Sequence, residues 1–175
     1  FNLQFENTTN SNNNKIFFII YNFINIYNNL VYLSRNKKLY IQFRENDTFS
    51  DRLTLLLFHF CFFLKRFKND TNKDKIQKIH DYFFRQIELS VREIGYGDAS
   101  INKKMKNYVN FFYGLLSKID RWDSCRSEEK LDMLENYLKN AKDISFFVEY
   151  FDNYWNYLLK TSLNSFLKGV IKHNF

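Results

Sequence analysis

Residues 50–67 have the sequence SDRLTLLLFHFCFFLKRF, and this segment decides the fold. Its main apolar stripe follows the three- and four-residue steps of an α-helix and consists of Leu53, Leu56, Leu57, Phe60, Leu64 and Phe67. Leu55, Phe58 and Phe62 extend the apolar surface around the other side. A helix that is apolar on nearly its whole circumference must be covered by neighbours, so we predict that it is central and largely buried.

Helical periodicity continues on both sides of this segment. Upstream, the pattern predicts a helix over about residues 15–32 and an irregular connection over 34–48. Downstream, a charged turn is expected at 120–127, and the spacing predicts helices at about 73–94, 98–119, 131–141, 144–158 and 163–167. Gly169 is expected to close the last of these. The whole pattern is therefore typical of a chain made of consecutive α-helices.

A short glycine-containing turn separates two of these helices. Gly95 is suited to the left-handed backbone that ends many helices, and Asp98 or Ser100 can cap the next one. The segment also resembles a phosphate-binding glycine loop, but it follows a helix, whereas such loops follow a strand. We therefore assign Gly95, Gly97 and Asp98 a structural role in the turn.

Composition supports the same fold class. The 175-residue chain contains no Pro, 4 Gly, 21 Phe and 12 Tyr, so little interrupts helices and an aromatic core is expected. This length suits one domain. Residues 1–14 are rich in Asn and Thr and are predicted to form a flexible polar tail. We predict an all-α protein in which residues 15–175 form a single bundle of about six helices.

Positive charge is concentrated in the first two thirds of the chain. Residues 1–119 contain 18 Lys and Arg against 10 Asp and Glu, whereas residues 120–175 contain 8 against 9. This asymmetry indicates either a solvated basic face or an anionic partner surface. Charge alone does not choose among a membrane headgroup layer, RNA and an acidic protein.

Six basic residues recur across three consecutive predicted helices. Three of them are spaced by seven residues on the central helix, which keeps them on one face. The candidate partner-binding residues are Arg52, His59, Arg66, Arg92, Lys103 and Lys104. They form either a concave basic face for a protein partner or ribosomal RNA, or a set of internal pairs in which Asp51, Glu93 or Asp98 satisfies Arg52 or Arg66.

No motif points to catalysis. The histidines His59, His80 and His173 lack a second ligand at the spacing of a zinc helix, and His80 is expected to be buried and hydrogen-bonded. No Ser or Cys occurs in a nucleophile elbow, and Cys61 lies in the apolar segment, where a reduced thiol is expected. We expect that the protein is not an enzyme and holds no cofactor or metal, unless unrecognised chemistry resides at His59 or His80.

Several short motifs occur in a fixed order between residues 33 and 120. Asp-Thr-Phe-x-x-Arg at 47–52 is followed by Leu-Lys-Arg-Phe at 64–67 and by Val-Arg-Glu-Ile-Gly-Tyr-Gly-Asp at 91–98. Lys-Lys-Met at 103–105 and Phe-Phe-Tyr-Gly at 111–114 complete the series. In this order they resemble the ubiquinol-cytochrome c chaperone family, from whose pattern Ile94, Tyr96 and Leu115 depart.

The resemblance implies a helical chaperone that assembles respiratory complex III, the ubiquinol-cytochrome c reductase. Such a protein binds newly made cytochrome b together with a small partner assembly subunit, near the tunnel exit of the mitochondrial ribosome. The expected location is the matrix side of the mitochondrial inner membrane, with peripheral membrane contact, or else an alphaproteobacterial cytoplasm. The resemblance brings no catalytic residue. The alternative function is that of a ribosome-associated structural or RNA-contacting protein.

Overall fold

Helices make up most of the structure, a computed structural model that describes residues 23–44 and 48–167. The helices within these ranges are α1 (23–34), α2 (Lys37–Tyr40), α3 (Phe49–Phe67), α4 (Lys73–Glu93), α5 (Asp98–Ile119), α6 (Ser127–Tyr137), α7 (Ile144–Lys160) and α8 (Leu163–Leu167). This part of the chain contains no β-strand, so the predicted all-α class is confirmed. The predicted tail at 1–14, residues 15–22 of the first predicted helix, Asp47, Gly169 and His173 lie outside the described residues.

Eight helices occur in the described residues, where about six were predicted, and two segments differ from expectation: the connection at 34–48, and α6, which was predicted over 131–141 and extends over Ser127–Tyr137. The connection predicted to be irregular contains α2, because the Asn36 side chain accepts a 3.0 Å bond from the backbone N–H of Lys38 and starts a single turn. Helix α6 starts at Ser127, inside the predicted charged turn, because the Glu129 carboxylate accepts a 2.7 Å bond from the backbone N–H of Arg126. Among the described residues, no helix is long and apolar enough to cross a membrane.

Helix α3 is the centre of the bundle. Thirteen of its 19 residues are buried. Phe60 stacks on Phe83 of α4 with ring centroids 3.8 Å apart, and Phe58 stacks on Phe151 of α7 at 4.9 Å. Phe112 of α5 lies 5.5 Å from Phe60. Such aromatic pairs stabilise by about 0.5–1.5 kcal/mol each beyond the burial of their area. The prediction of a central, buried helix over this segment is confirmed.

The directions of the helices around α3 bring distant parts of the sequence to the same end of the bundle. Helix α4 runs antiparallel to α3, since Phe60 meets Phe83 while Leu53 and Ile87 line a common cleft nearer the start of α3. Helix α5 runs antiparallel to α4, with which it shares the turn at 94–97. The start of α3, the end of α4 and the start of α5 therefore lie together.

The turn between α4 and α5 depends on a glycine backbone. Gly95 has φ of +97°, and its N–H donates a 2.9 Å bond to the carbonyl of Arg92, which satisfies a free acceptor at the end of α4. A Cβ atom at this position would meet nothing within 4 Å. The requirement for glycine is therefore conformational rather than steric, and the predicted left-handed helix end at Gly95 is confirmed.

Replacing Gly95 tests this requirement. We expect Gly95→Ala to lower the free energy of unfolding by about 1 to 2 kcal/mol, because a Cβ atom disfavours the left-handed backbone. Gly95→Asn should cost less, since Asn tolerates positive φ better than other residues with a Cβ. Urea-induced unfolding followed by circular dichroism measures both losses. Equal losses for Ala and Asn, or no loss with Ala, would contradict the conformational explanation.

Candidate functional site: a basic end of the helical bundle

Basic residues from three helices and from the turn after α1 lie near the start of α3. We call this region the basic end and define it by Arg35, Arg52, Arg92, Lys103 and Lys104. Arg52 lies in the first turn of α3, Arg92 in the last turn of α4, and the two lysines near the start of α5. Four of the six candidate residues are thus brought to one end of the bundle, and Arg35, just beyond α1, joins them.

Arg92 is paired within the chain. Its guanidinium donates to the Glu88 carboxylate at 2.9 Å, one helical turn earlier, and also to Asp98 at the start of α5. The hydrogen bond that Arg92 donates to Glu88, followed by the one it donates to Asp98, raises the pKa of Arg92, and the bond from Arg92 in turn lowers the pKa of Glu88. Asp98, expected to satisfy Arg52 or Arg66, therefore binds Arg92, and this pair braces the turn that Gly95 makes.

The two lysines of α5 present their charge differently. The Lys104 ammonium lies 3.9 Å from the centroid of the Tyr96 ring, a cation–π contact that holds it against the turn. The Lys103 side chain is exposed. Both lie in the second turn of α5, and their positive charges favour a nearby anion. This part of the basic end is therefore suited to attract a carboxylate or phosphate group.

Arg52 is exposed on the rim of a cleft between α1, α3 and α4, which Glu93 and Arg35 also line. Sequence reasoning did not single out Arg35, because it falls in the segment predicted to be irregular. The available signal was a basic residue just beyond the end of a helix, where the last backbone carbonyls lack intrahelical donors. The structure therefore adds Arg35 to the candidate site.

Arg66 lies at the opposite end of the bundle. Fourteen residues separate it from Arg52, which corresponds to about 21 Å along a helix axis. Its Nε donates a 3.0 Å bond to the carbonyl of Leu158 near the end of α7, and its guanidinium lies 5.3 Å from the centroid of the Phe67 ring. Arg66 therefore joins α3 to α7 and does not contribute to the basic end.

His59 is a core residue and does not belong to the predicted basic surface. The ring is fully buried, its Nδ1 donates to the carbonyl of Leu55 at 2.7 Å, and its Nε2 accepts from the Tyr150 hydroxyl at 2.8 Å. Burial lowers the pKa of His59 to about 4, against the smaller raising effect of the Leu55 bond. The seven-residue step placed His59 on the expected face of α3, but α7 covers that face at mid-length.

The contacts of His80 and Cys61, the other two residues considered for chemistry, are those of structural residues. His80 keeps 18% of its side-chain surface exposed and lies 3.3 Å from the Asp81 carboxylate and 3.3 Å from the Tyr113 hydroxyl. It is therefore hydrogen-bonded as expected, but only partly buried. Cys61 is a buried free thiol, and desolvation raises its pKa. Within the described residues, no group of three or more His, Cys, Asp or Glu could hold a metal ion.

Comparison with known proteins identifies a chaperone family. The family model described as ubiquinol-cytochrome C chaperone matches residues 42–173. The chain is also similar to the crystal structure of the Cbp3 homolog from Brucella abortus, with a TM-score of 0.75 and 20% sequence identity, over 95% of this chain and 97% of that chain. At this identity the likeness supports the fold. No curated protein matches the sequence.

The burial of His59 makes stability depend on pH. Its pKa of about 4 in the folded protein lies below the ordinary value of 6.5, so between these values only the unfolded chain takes up the proton. The contribution to stability is present in full above about pH 6.5 and is lost as the pH falls towards 4. As the pH falls from about 7 to about 5, we expect protonation of His59 in the unfolded chain to lower the free energy of unfolding by about 2 kcal/mol.

The His59→Gln variant, which cannot titrate, is the matched control. Its free energy of unfolding, measured by urea denaturation, should fall less steeply over the same pH interval, whatever its stability at neutral pH. Identical slopes for the two proteins would show that His59 takes up its proton equally well in the folded and unfolded states.

Proposed function

The chain belongs to the ubiquinol-cytochrome c chaperone family, and we propose that it binds newly made cytochrome b through its basic end during assembly of respiratory complex III. Family membership supports a chaperone of complex III assembly and implies a non-enzymatic role. The single observation that carries the finer proposal is the meeting of Arg35, Arg52, Lys103 and Lys104 at one end of the bundle.

Exposed apolar groups beside these cations strengthen the proposal. Ile94 and Tyr96, in the turn between α4 and α5, expose 50% and 40% of their surface. A client segment with carboxylates and apolar side chains would pair with the cations and cover these two residues. Complementary charge speeds encounter and orients the client, while burial of apolar surface slows its release.

The remaining partners follow from the same role. A small assembly subunit bound beside cytochrome b would use another face, and the C-terminal third, with 8 basic and 9 acidic residues, differs enough in charge to provide it. A place near the tunnel exit of the mitochondrial ribosome, on the matrix side of the inner membrane and with peripheral membrane contact, would give access to cytochrome b during its synthesis. An alphaproteobacterial cytoplasm is the alternative location.

Reversing charge at the start of α5 tests the basic end. We expect the double variant Lys103→Glu and Lys104→Glu to reduce co-purification of cytochrome b with the tagged full chain about tenfold, which corresponds to about 1.4 kcal/mol of binding free energy. Folding should be retained, because neither lysine is buried in the core and Glu is about as good a helix former as Lys. Quantitative immunoblotting of the purified complex measures the effect.

A variant with the same change in net charge provides the control. Lys73 and Lys78 are exposed near the start of α4, at the opposite end of the bundle. The double variant Lys73→Glu and Lys78→Glu should retain cytochrome b. If both double variants lose it equally, net charge and not the basic end governs binding; if neither loses it, cytochrome b binds elsewhere or not at all.

The exposed lysines also suit the alternative function, direct contact with ribosomal RNA. A contact with six or more phosphates loses about a thousandfold or more in affinity between about 50 and 200 mM salt. Cytochrome b held partly by apolar burial should dissociate far less over this range. Sedimentation with ribosomes at the two salt concentrations, with cytochrome b followed in parallel, separates the two functions.

A further inference from the structure

A cleft of about 270 Å³ lies between α1, α3 and α4, at the basic end. Its floor is apolar and is formed by Leu53, Leu56 and Ile87, all buried beneath it. Ile94, half exposed, stands at the edge. When a partner's apolar side chain fills such a concave surface beside a half-exposed aliphatic side chain, apolar area is buried and the complex is stabilised.

A second depression, of about 660 Å³, adjoins the first along α1. The two share Val31 and Arg35, so they lie next to each other across the end of α1 and the start of α2, and we call them together the groove. Tyr32, with 48% of its surface exposed, lines the second depression. The groove therefore offers two apolar contact positions side by side, one on each side of Val31.

Charge around this groove selects what can fill it. Its described lining residues include the cations Arg35, Lys37 and Arg52 and one carboxylate, Glu93. The rim therefore carries a positive excess and favours an occupant with carboxylates near its apolar groups. An uncharged apolar segment would remove part of the hydration of Arg35 and Lys37 without offering them an opposite charge.

We propose that this groove anchors an acidic amphipathic helix of the protein client. A helix places apolar side chains at i and i+3 or i+4 on one face, which matches two adjacent contact positions, and presents carboxylates beside them to Arg35 and Arg52. A single acyl chain would occupy one depression and leave the other open. The proposal rests on the proposed function and names the chemistry of the client segment that the basic end receives.

Photocrosslinking from the edge of the cleft tests the groove directly. Benzoylphenylalanine is introduced in place of Ile94 in the full chain, expressed in cells that make cytochrome b. Benzoylphenylalanine in place of Leu159 is the matched control. Leu159 is also 50% exposed but lies near the end of α7, at the opposite end of the bundle. After irradiation, the crosslinked peptides are sequenced by mass spectrometry.

We expect position 94, and not position 159, to crosslink to a client segment that has apolar residues at helical spacing and flanking carboxylates. The yield should fall about tenfold when Arg35→Glu and Arg52→Glu are added, and should be unchanged when Lys73→Glu and Lys78→Glu are added. If the arginine double variant fails to fold, Arg35→Glu alone applies the same test at an exposed side chain.

Other outcomes overturn the proposal. Crosslinking from position 94 to lipid, to a second copy of this chain or to a segment without carboxylates would assign the groove another occupant. Equal crosslinking yields at both positions, or no crosslink at position 94, would show that the groove is not a docking site. Cytochrome b in the purified complex is measured in parallel: if it is retained without a crosslink at position 94, only the groove is wrong, whereas its absence from the wild-type complex would contradict the proposed function itself.

Discussion

The burial of α3 on all sides is the constraint on which the rest of the structure depends. Its aromatic side chains require apolar partners around the whole helix, and α4, α5 and α7 supply them through Phe83, Phe112 and Phe151. Each neighbour therefore places at least one aromatic ring against α3. Even the polar groups on this helix are satisfied inside the bundle, as His59 is by the Leu55 carbonyl and the Tyr150 hydroxyl.

A central helix covered along its sides can expose its own polar side chains only near its ends. Charged residues in the middle of α3 would lose their hydration without compensation, so its arginines occur near its two ends. At one end Arg66 is used to hold α7 through the Leu158 carbonyl. At the other, Arg52 remains exposed beside Arg35, and the antiparallel directions of α4 and α5 bring further cations to it.

Under the proposed function, the turn between α4 and α5 links stability to recognition. Gly95 supplies the backbone conformation, Arg92 joins the two helices through Glu88 and Asp98, and Tyr96 holds the Lys104 ammonium. The groups that we propose face a client are thus held in place within the free protein. Preorganisation of this kind reduces the conformational entropy that binding would otherwise cost, so a chaperone can recognise a client segment with few contacts.

Sequence alone determined the fold class, the extents of α3, α4 and α5, the left-handed helix end at Gly95 and the resemblance to a family. Each of these depends on local periodicity, backbone preference or the order of motifs, which neighbours in space do not alter. Only the tertiary structure decided that His59 is buried, that Arg66 lies far from Arg52 and that Arg35 joins the basic end. The reason is physical: a seven-residue step fixes the angle of a side chain around its helix axis, but coverage at each level along the axis depends on which distant helix packs there.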